Sequence, residues 1–219
     1  MPEQLRFVAN KLGLENILLL NNQKVARLSE LSTDTFTFFK KLPGYQTLRL
    51  LLCKKAVLVE GDSDELVFQK AYMEKHNGHL PIEDGIDVIS VKLTFKRFLN
   101  IAVKIGQQVA VITDNDCDFD NNITQKYKDF EGIEHIKIFA DKRNELNTLE
   151  PQMVDANKSN LGNFCAVLDV DNSKYNSLEK ISKHMEADKP AWALKVFESQ
   201  KTVQFPEYIR NAVAWCDEN

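Results

Sequence analysis

The stretch that decides the fold is Ala56–Asp64, which reads AVLVEGDSD. It begins with an apolar, valine-rich run, a composition typical of a strand that is buried on both faces of a parallel sheet. Glu60 and Gly61 end the apolar run, and the Asp and Ser residues that follow are favoured at the start of a helix. The stretch therefore predicts a strand, a tight turn and a helix over Asp62–Lys75.

The same pattern recurs further along the chain. The other predicted strands are Asp87–Val91, Gln108–Thr113 and His135–Phe139, and the helices between them are Phe95–Ile105 and Asn122–Phe130. Strands that alternate with helices at this spacing form a parallel sheet with right-handed crossovers. We therefore predict an α/β fold, with a parallel sheet flanked by helices.

Both ends of the chain are predicted to be helical. Within the first fifty residues, Asp34 can cap a segment that contains Phe36, Phe38 and Phe39. After Pro151 the strand pattern fades, which indicates a smaller, mostly helical subdomain. Its predicted helices are Leu178–Met185, Ala191–Glu198 and Pro206–Trp215, while Asn163–Val170 fits either a short strand or a buried helix.

The composition limits the class of protein. The 219 residues are 43% hydrophobic and 27% charged, which is enough apolar material for one sizeable core. The apolar runs are far shorter than the ~18 residues that a membrane-spanning helix needs. The four Cys residues are scattered without a CxxC pair, which argues against a zinc ribbon or a disulfide scaffold and favours a reducing, cytoplasmic location.

The net charge of −4 is unevenly distributed. Residues 1–55 carry nine Lys or Arg and four Asp or Glu, whereas residues 56–150 carry eleven and eighteen. This acidic centre argues against purely electrostatic nucleic-acid binding by that part of the chain. It is compatible either with a solvated acidic surface or with carboxylates that bind divalent cations, which in turn contact phosphate.

Acidic side chains follow the ends of the predicted strands. Glu60 ends the first strand and Asp64 enters the next helix, whereas Asp114 and Asp116 follow the third strand. Because sites in open parallel sheets form at the carboxyl ends of strands, the two pairs are expected to converge. Oxygen ligands favour Mg²⁺ or Mn²⁺ over Zn²⁺. A further acid, Glu150, follows the fourth strand.

Each motif also has a simpler explanation. Asp and Ser after Gly61 suit a capped helix start, and an Asp-x-Asp pair is common in turns. An EF-hand loop from Asp114 is excluded, because it requires Gly at position six and Glu at position twelve, where this chain has Phe119 and Gln125. The combination at two strand ends is more specific than either motif alone, and it favours a metal site.

The combination resembles the TOPRIM domain, which primases, topoisomerases and several nucleases share. The apolar strand that ends in Glu60-Gly61 and the later strand that ends in Asp114-x-Asp116 carry this resemblance. Longer motifs resemble the carboxy-terminal half of the OLD (overcoming lysogenization defect) nucleases. These motifs are Val59–Glu65, Gly85–Val91, Val111–Asp116, Leu149–Gln152, Phe38–Arg49, Lys189–Ser199 and Phe205–Ile209, so the resemblance covers nearly the whole chain.

The resemblance implies three regions. Residues 1–54 would be a helical tail of a preceding ATPase domain that packs on the sheet. Residues 55–150 would be the TOPRIM catalytic domain with its Rossmann-like sheet, and residues 151–219 the helical carboxy-terminal subdomain. The chain contains no G-x-x-x-x-G-K-[ST] motif, so we expect the nuclease half alone, without ATP hydrolysis. The implied partners are DNA and the ATPase domain, and this region alone is expected to be monomeric.

The resemblance also implies a ligand set. Glu60, Asp64, Asp114 and Asp116 would hold one or two Mg²⁺ or Mn²⁺ ions, with Glu150 as a further candidate ligand. Bound cations of this kind would activate a water molecule and stabilise the leaving 3′ oxygen during phosphodiester hydrolysis. The implied activity is DNA cleavage or nicking.

A basic residue of the helical subdomain is expected near the scissile phosphate. The resemblance favours Lys189, with Lys183 as the alternative, and such a lysine would offset charge in the transition state. The Pro190-Ala191 pair after Lys189 departs from the Thr-Glu that the family usually has there.

Three other functions remain possible for this fold. A topoisomerase needs a Tyr nucleophile on another domain, and a primase usually carries a zinc ribbon, which the Cys spacing argues against. The third is a non-catalytic scaffold or effector-binding module in which the acids are structural.

Overall fold

The computed structural model describes residues 11, 13, 16–21, 24–35, 37 and 45–218. Its centre is a four-stranded parallel sheet, and a separate two-stranded hairpin lies near the amino-terminal end. The strands are β1 (Leu18–Asn21), β2 (Lys24–Arg27), β3 (Lys55–Val59), β4 (Ile86–Ser90), β5 (Gln108–Ile112) and β6 (Ile136–Phe139). The order across the parallel sheet is β4-β3-β5-β6.

Helices flank the sheet, as predicted. They are α1 (Tyr45–Leu52), α2 (Asp62–Lys75), α3 (Phe95–Ile105), α4 (Leu149–Ala156), α5 (Leu161–Leu168), α6 (Leu178–Ala187), α7 (Ala191–Glu198) and α8 (Glu207–Cys216). The helix predicted before β6 is a π-helical turn at Asp120–Gln125 followed by a short 3₁₀ turn at Lys128–Phe130. The segment that fitted either a strand or a helix is α5.

The sheet is buried on both faces, which explains the continuous apolar run in β3. Val57 and Val59 pack in a core with α2 and the carboxy-terminal helices. Ala56 and Leu58 pack in the opposite core with α1, α3 and the hairpin. Because successive side chains of a strand point to opposite faces, a strand between two cores must be apolar at every position. The α/β fold predicted from the sequence is confirmed.

The prediction that the first fifty residues are helical is wrong for the hairpin. Leu19 and Ala26 are buried, whereas Leu18, Leu20 and Val25 are exposed. This alternation has the period of two that is characteristic of strands, and β1 pairs with β2 in antiparallel register. The described residues do not include Phe36, Phe38 and Phe39. Apart from residue 11, they also exclude the helix that is predicted at the start of the chain.

None of the helices in the described part of the chain has the length and apolar character needed to span a bilayer.

The ion pair between Arg49 and Asp87 joins α1 to the edge strand β4. Arg49 Nη2 lies 2.6 Å from Asp87 Oδ1, and its Nε donates a hydrogen bond to Oδ2 at 3.0 Å. Nη2 also donates to the carbonyl oxygen of Val88 at 2.7 Å. The two side chains are only 26% and 14% exposed, so this bidentate pair contributes more to stability than a surface pair.

Replacing Arg49 by Met is therefore expected to lower the free energy of unfolding by about 2 kcal/mol, because Asp87 would lose its charged partner. Urea unfolding followed by circular dichroism measures this change. The matched control is Lys183→Met, which breaks an exposed pair with Glu179 and should leave the stability close to that of the wild type. Equal effects of the two variants would contradict the structural role of Arg49.

Candidate active site

The candidate site lies where the chain changes direction across the sheet. From β3 the chain crosses by α2 to β4 at one edge, and then returns by α3 to β5 on the other side of β3. Side chains after β3 and β5 therefore meet at a topological switch point, the usual location of sites in open parallel sheets. Leu58 pairs with Val111 in the register of these strands, so Glu60 lies level with Thr113.

The turn after β3 directs Asp64 back toward the strand end. Gly61 caps α2, and its backbone N–H donates a hydrogen bond to Asp64 Oδ2 at 3.0 Å. Burial raises the pKa of Asp64 to about 7, and the negative charges of Glu60 and Glu150 add to the shift. The sequence motif that could have been only a helix cap thus also places a carboxylate at the strand end.

Asp114 follows β5 and lies in the same cleft as the other acids. Its Oδ1 atom is buried and has no hydrogen-bond partner among the described residues. Burial raises the pKa of Asp114 to about 9, together with the charges of Asp64, Glu60 and Glu150. A buried oxygen without a partner at the centre of an acidic cluster is a candidate cation ligand.

Glu150 and Lys189 close the site from the carboxy-terminal helices. Glu150 lies in the first turn of α4 with its side chain only 1% exposed, and its Oε2 is 2.9 Å from Lys189 Nζ. The Lys189 side chain is 48% exposed. Burial alone would lower the pKa of Lys189, but Glu150, Asp114 and Asp64 raise it, so the ammonium group stays charged beside the acids.

These side chains line one cleft of about 340 Å³. Among its lining residues are the acids Glu60, Asp64, Asp114 and Glu150 and the cation Lys189. The structure thus brings together five of the residues singled out in the sequence.

Asp116 and Lys183 are not among the residues that line the cleft. Asp116 is exposed, in a left-handed turn with φ of 48°, and its backbone N–H donates a hydrogen bond to the carbonyl oxygen of Asn147 at 3.2 Å. Its role as a metal ligand therefore stays a prediction. Lys183 lies on α6, where its ammonium group pairs with Glu179 at 2.6 Å. Its position gives no support to the alternative choice of lysine.

Asn115 holds the turn that carries Asp114 and Asp116. Its fully buried side chain donates hydrogen bonds from Nδ2 to the carbonyl oxygens of Asp141 and Arg143, both at 2.9 Å. Its Oδ1 accepts a hydrogen bond from the backbone N–H of Cys117 at 2.9 Å. Sequence reasoning missed this residue, because an Asn in an acidic turn gives no signal of its long-range partners.

A larger groove of about 660 Å³ lies between the loop after β6 and the start of α8. Two of its three lining acids, Asp141 and Asp155, are paired with Arg143 at 2.7 Å. Opposite charges are therefore already matched in this groove, whereas the carboxylates of the cleft are crowded together. The groove is for this reason a weaker candidate for a cation site.

The ligand atoms of the cleft fit Mg²⁺ or Mn²⁺, although the side chains are not arranged around a common point. The described residues contain no group of three or more Asp, Glu, His or Cys side chains that could hold a metal ion as they stand. The cleft nevertheless offers only oxygen ligands, which these ions prefer, and one buried oxygen of Asp114 lacks a partner. A divalent cation would also relieve the repulsion that raises the pKa values of Asp64 and Asp114.

The raised pKa values predict that the metal-free protein becomes less stable as the pH rises. The unfolded chain releases the protons of Asp64 and Asp114 near the ordinary pKa of 3.8, whereas the folded protein holds them to about 7 and about 9. Between these values the folded state binds more protons, so stability is lost as the pH increases from about 4 to about 9.

We expect the melting temperature in EDTA to fall between pH 6 and pH 9, and to fall less in Asp114→Asn. Differential scanning fluorimetry measures this difference. The exposed Asp120 of the same loop provides the control, because Asp120→Asn should melt like the wild type at each pH. Identical pH profiles for the wild type and Asp114→Asn would contradict the electrostatic description of the site.

Comparisons with known proteins agree with this geometry. Residues 51–116 match the family model described as "Overcoming lysogenization defect protein-like, TOPRIM domain". The C-terminal region of the Burkholderia pseudomallei OLD protein is similar in structure, with a TM-score of 0.56 and 18% identity over 75% of this chain and 97% of that chain. The C-terminal region of the Xanthomonas campestris pv. campestris OLD protein has a TM-score of 0.53 and 18% identity, over 75% of this chain and 94% of that chain. No curated protein matches the sequence.

These likenesses confirm the resemblance to the OLD family that the motifs indicated. The matched stretch contains Glu60, Asp64, Asp114 and Asp116, whereas Glu150 and Lys189 lie outside it. At 18% identity the two solved structures show the fold, which is that of the C-terminal regions of OLD proteins.

Proposed function

We propose that this chain is the nuclease module of an OLD-type protein, a DNA endonuclease that depends on Mg²⁺ or Mn²⁺. One observation carries the proposal: five acidic residues and one lysine line a single cleft at the topological switch point. Carboxylates crowded in a partly buried place imply either bound protons or bound cations. The likeness to OLD proteins favours bound cations over bound protons, and DNA as the substrate.

Five side chains of the cleft have a defined task in this proposal. Glu60, Asp64, Asp114 and Glu150 provide the oxygen ligands that hold the cations in place. When bound, one or two divalent ions supply an activated water and neutralise charge on the phosphate and on the leaving 3′ oxygen. The Lys189 side chain is half exposed at the cleft, and its ammonium group can donate a hydrogen bond to a phosphate oxygen.

The charge of the cleft explains why substrate binding should require the cation. Among the described residues that line it, Lys189 is the only base, and it faces the acids Glu60, Asp62, Asp64, Asp114 and Glu150. Such a surface repels a DNA phosphate until divalent cations offset the acids. The proposal therefore includes binding of DNA to this cleft together with the metal.

The remaining parts of the proposal rest on the OLD likeness. Residues 55–150 would be the catalytic domain, residues 151–219 would supply Lys189, and residues 1–54 would connect to an ATPase domain of the full-length protein. We propose a monomer for this region alone and action in the cytoplasm.

Cleavage of a supercoiled plasmid tests the proposed function. The wild type should convert it to nicked or linear DNA with Mg²⁺ or Mn²⁺, and should leave it intact in EDTA. Asp120→Asn is the matched control for acid substitutions, because Asp120 is exposed and should be dispensable. Intact plasmid at every metal concentration, with a folded protein, would overturn the proposal. Relaxed, closed circles without nicks would instead indicate a topoisomerase.

The alternative is a non-catalytic scaffold or effector-binding module. Two observations favour it: the described acids form no complete metal-binding group, and Glu150 already has a cationic partner in Lys189. A module of this kind would leave plasmid DNA intact, and its melting temperature would not respond to Mn²⁺. The plasmid assay and a melting curve together therefore separate the two functions.

A further inference from the structure

Thr113 lies level with Glu60 on the neighbouring strand. Its backbone N–H donates a hydrogen bond to the carbonyl oxygen of Phe139 at 3.2 Å, which extends the ladder between β5 and β6 by one residue. The residue is only 2% exposed. A polar side chain thus occupies a buried, fixed position directly beside an acid of the cleft.

The Thr113 hydroxyl holds one oxygen of that acid. Thr113 Oγ1 donates a hydrogen bond to Glu60 Oε1 at 2.6 Å, and the backbone N–H of Asp114 approaches the same oxygen at 3.3 Å. Among the described residues, both hydrogen bonds to the Glu60 side chain end on Oε1. Oε2 is therefore the oxygen available to a cation in the cleft.

Tyr127 is a buried phenol whose electrostatic environment includes Glu60 and Thr113, and it is not among the residues that line the cleft. The phenol is 3% exposed, and its hydroxyl has no hydrogen-bond partner among the described residues. Burial and the charge of Glu60 raise the pKa of Tyr127, while the Thr113 hydroxyl opposes the shift. Because Thr113 is only 2% exposed, its hydroxyl has little access to competing solvent.

We propose that Thr113 is a positioning residue, which orients the Glu60 carboxylate so that Oε2 points to a divalent cation in the cleft. The inference rests on the proposed metal-dependent function and adds a residue that the motifs did not single out. A carboxylate that a hydrogen-bond donor already orients loses less conformational freedom when it binds an ion. Removal of such a donor typically weakens metal affinity by about 10- to 100-fold.

Binding of Mn²⁺ alone, followed by the EPR signal of the free ion, tests this role without DNA. Thr113→Val keeps the shape of the side chain but removes the hydroxyl, and it should weaken Mn²⁺ binding by about 10- to 100-fold. Thr113→Ser restores the donor and should bind close to wild type. In plasmid cleavage, Thr113→Val should need more Mn²⁺ for half-maximal rate, whereas its rate at saturating Mn²⁺ should stay near that of the wild type.

Tyr127→Phe is the matched control, because it removes a buried hydroxyl from the same neighbourhood without a bond to Glu60. It should bind Mn²⁺ like the wild type. In a Glu60→Gln background, Thr113→Val should have no further effect, since its action passes through Glu60. This comparison remains informative if Thr113→Val is less stable, because all variants are compared at a temperature where circular dichroism shows them folded.

The outcomes separate the inference from the proposed function. If the wild type binds Mn²⁺ and Thr113→Val binds it with the same affinity, the role of Thr113 is overturned. The proposed function stays intact in that case. A loss of affinity in both Thr113→Val and Tyr127→Phe would show a general packing effect and would also overturn it. Absence of Mn²⁺ binding by the wild type would overturn the proposed function, and the inference with it.

Discussion

Replacement of Asp114 by Asn is expected to reduce cleavage of supercoiled DNA by at least about 10³-fold while the protein stays folded. The substitution keeps the shape of the side chain but removes the anionic oxygen that is buried without a partner. Metal-assisted charge stabilisation is worth several kcal/mol, and each 1.36 kcal/mol corresponds to about tenfold in rate. In the proposed mechanism, activation of the water molecule depends on the cations that these acids would hold.

The same variant should be more stable than the wild type when metal is absent. Asp114 lies among Asp64, Glu60 and Glu150, whose charges raise its pKa to about 9. Removing one repelling carboxylate should raise the melting temperature in EDTA at pH 9 by roughly 3–6 °C, the shift expected for about 1–2 kcal/mol in a domain of this size.

Loss of cleavage combined with gain of stability identifies a functional acid more clearly than either result alone. A structural acid would show lower stability when replaced, and a solvated surface acid would show neither effect, as expected for Asp120→Asn. Glu60→Gln should also lose cleavage. If Asp114→Asn cleaves like the wild type, the metal-dependent nuclease hypothesis fails and the scaffold hypothesis takes its place.

Much of the fold could be predicted because its strands are buried on both faces. A parallel strand that is buried on both faces is apolar along its buried part, so Ala56–Val59 and Val109–Ile112 stand out from their surroundings. The hairpin β1–β2 was missed because its strands are only four residues long and their alternation is weak. In so short a run, the periods of a helix and a strand are hard to distinguish.

The candidate site could be predicted only in part. The acids that follow β3 and β5 converge because the sheet topology forces these strand ends together. Thr113 and Asn115 gave no separate signal, since their importance depends on partners 53 and 26 residues away in sequence. The exposed position of Asp116 depends on a left-handed turn, and periodicity cannot reveal the direction of a turn.

The ion pair between Lys189 and Glu150 links the helical subdomain to the sheet. Glu150 is nearly inaccessible to solvent, so its negative charge requires a partner, which Lys189 provides at 2.9 Å. The Lys189 side chain is half exposed at the cleft, where the proposed function places a phosphate of the DNA. If the proposed function holds, Lys189 pairs with a carboxylate in the metal-free protein and would contact a phosphate when DNA binds.

Lys189→Ala is therefore expected to have two separate effects. Cleavage at saturating Mn²⁺ should slow by about 10²–10³-fold, the range for loss of one donor that stabilises developing charge. The melting temperature in EDTA should fall, because Glu150 would keep a buried charge without its partner, and Mn²⁺ should restore it. Affinity for Mn²⁺ should not decrease, since a protonated amine is not a metal ligand.

Plasmid cleavage, melting curves and Mn²⁺ EPR on the same preparations measure the three quantities. Lys183→Ala is the matched control, because this lysine lies on the neighbouring helix α6 in an exposed pair with Glu179 and should leave all three unchanged. If Lys183→Ala slows cleavage and Lys189→Ala does not, the choice of lysine is wrong, although the metal mechanism stands. If Lys189→Ala lowers only the stability and cleaves at the wild-type rate, the lysine is a structural partner of Glu150 and takes no part in catalysis.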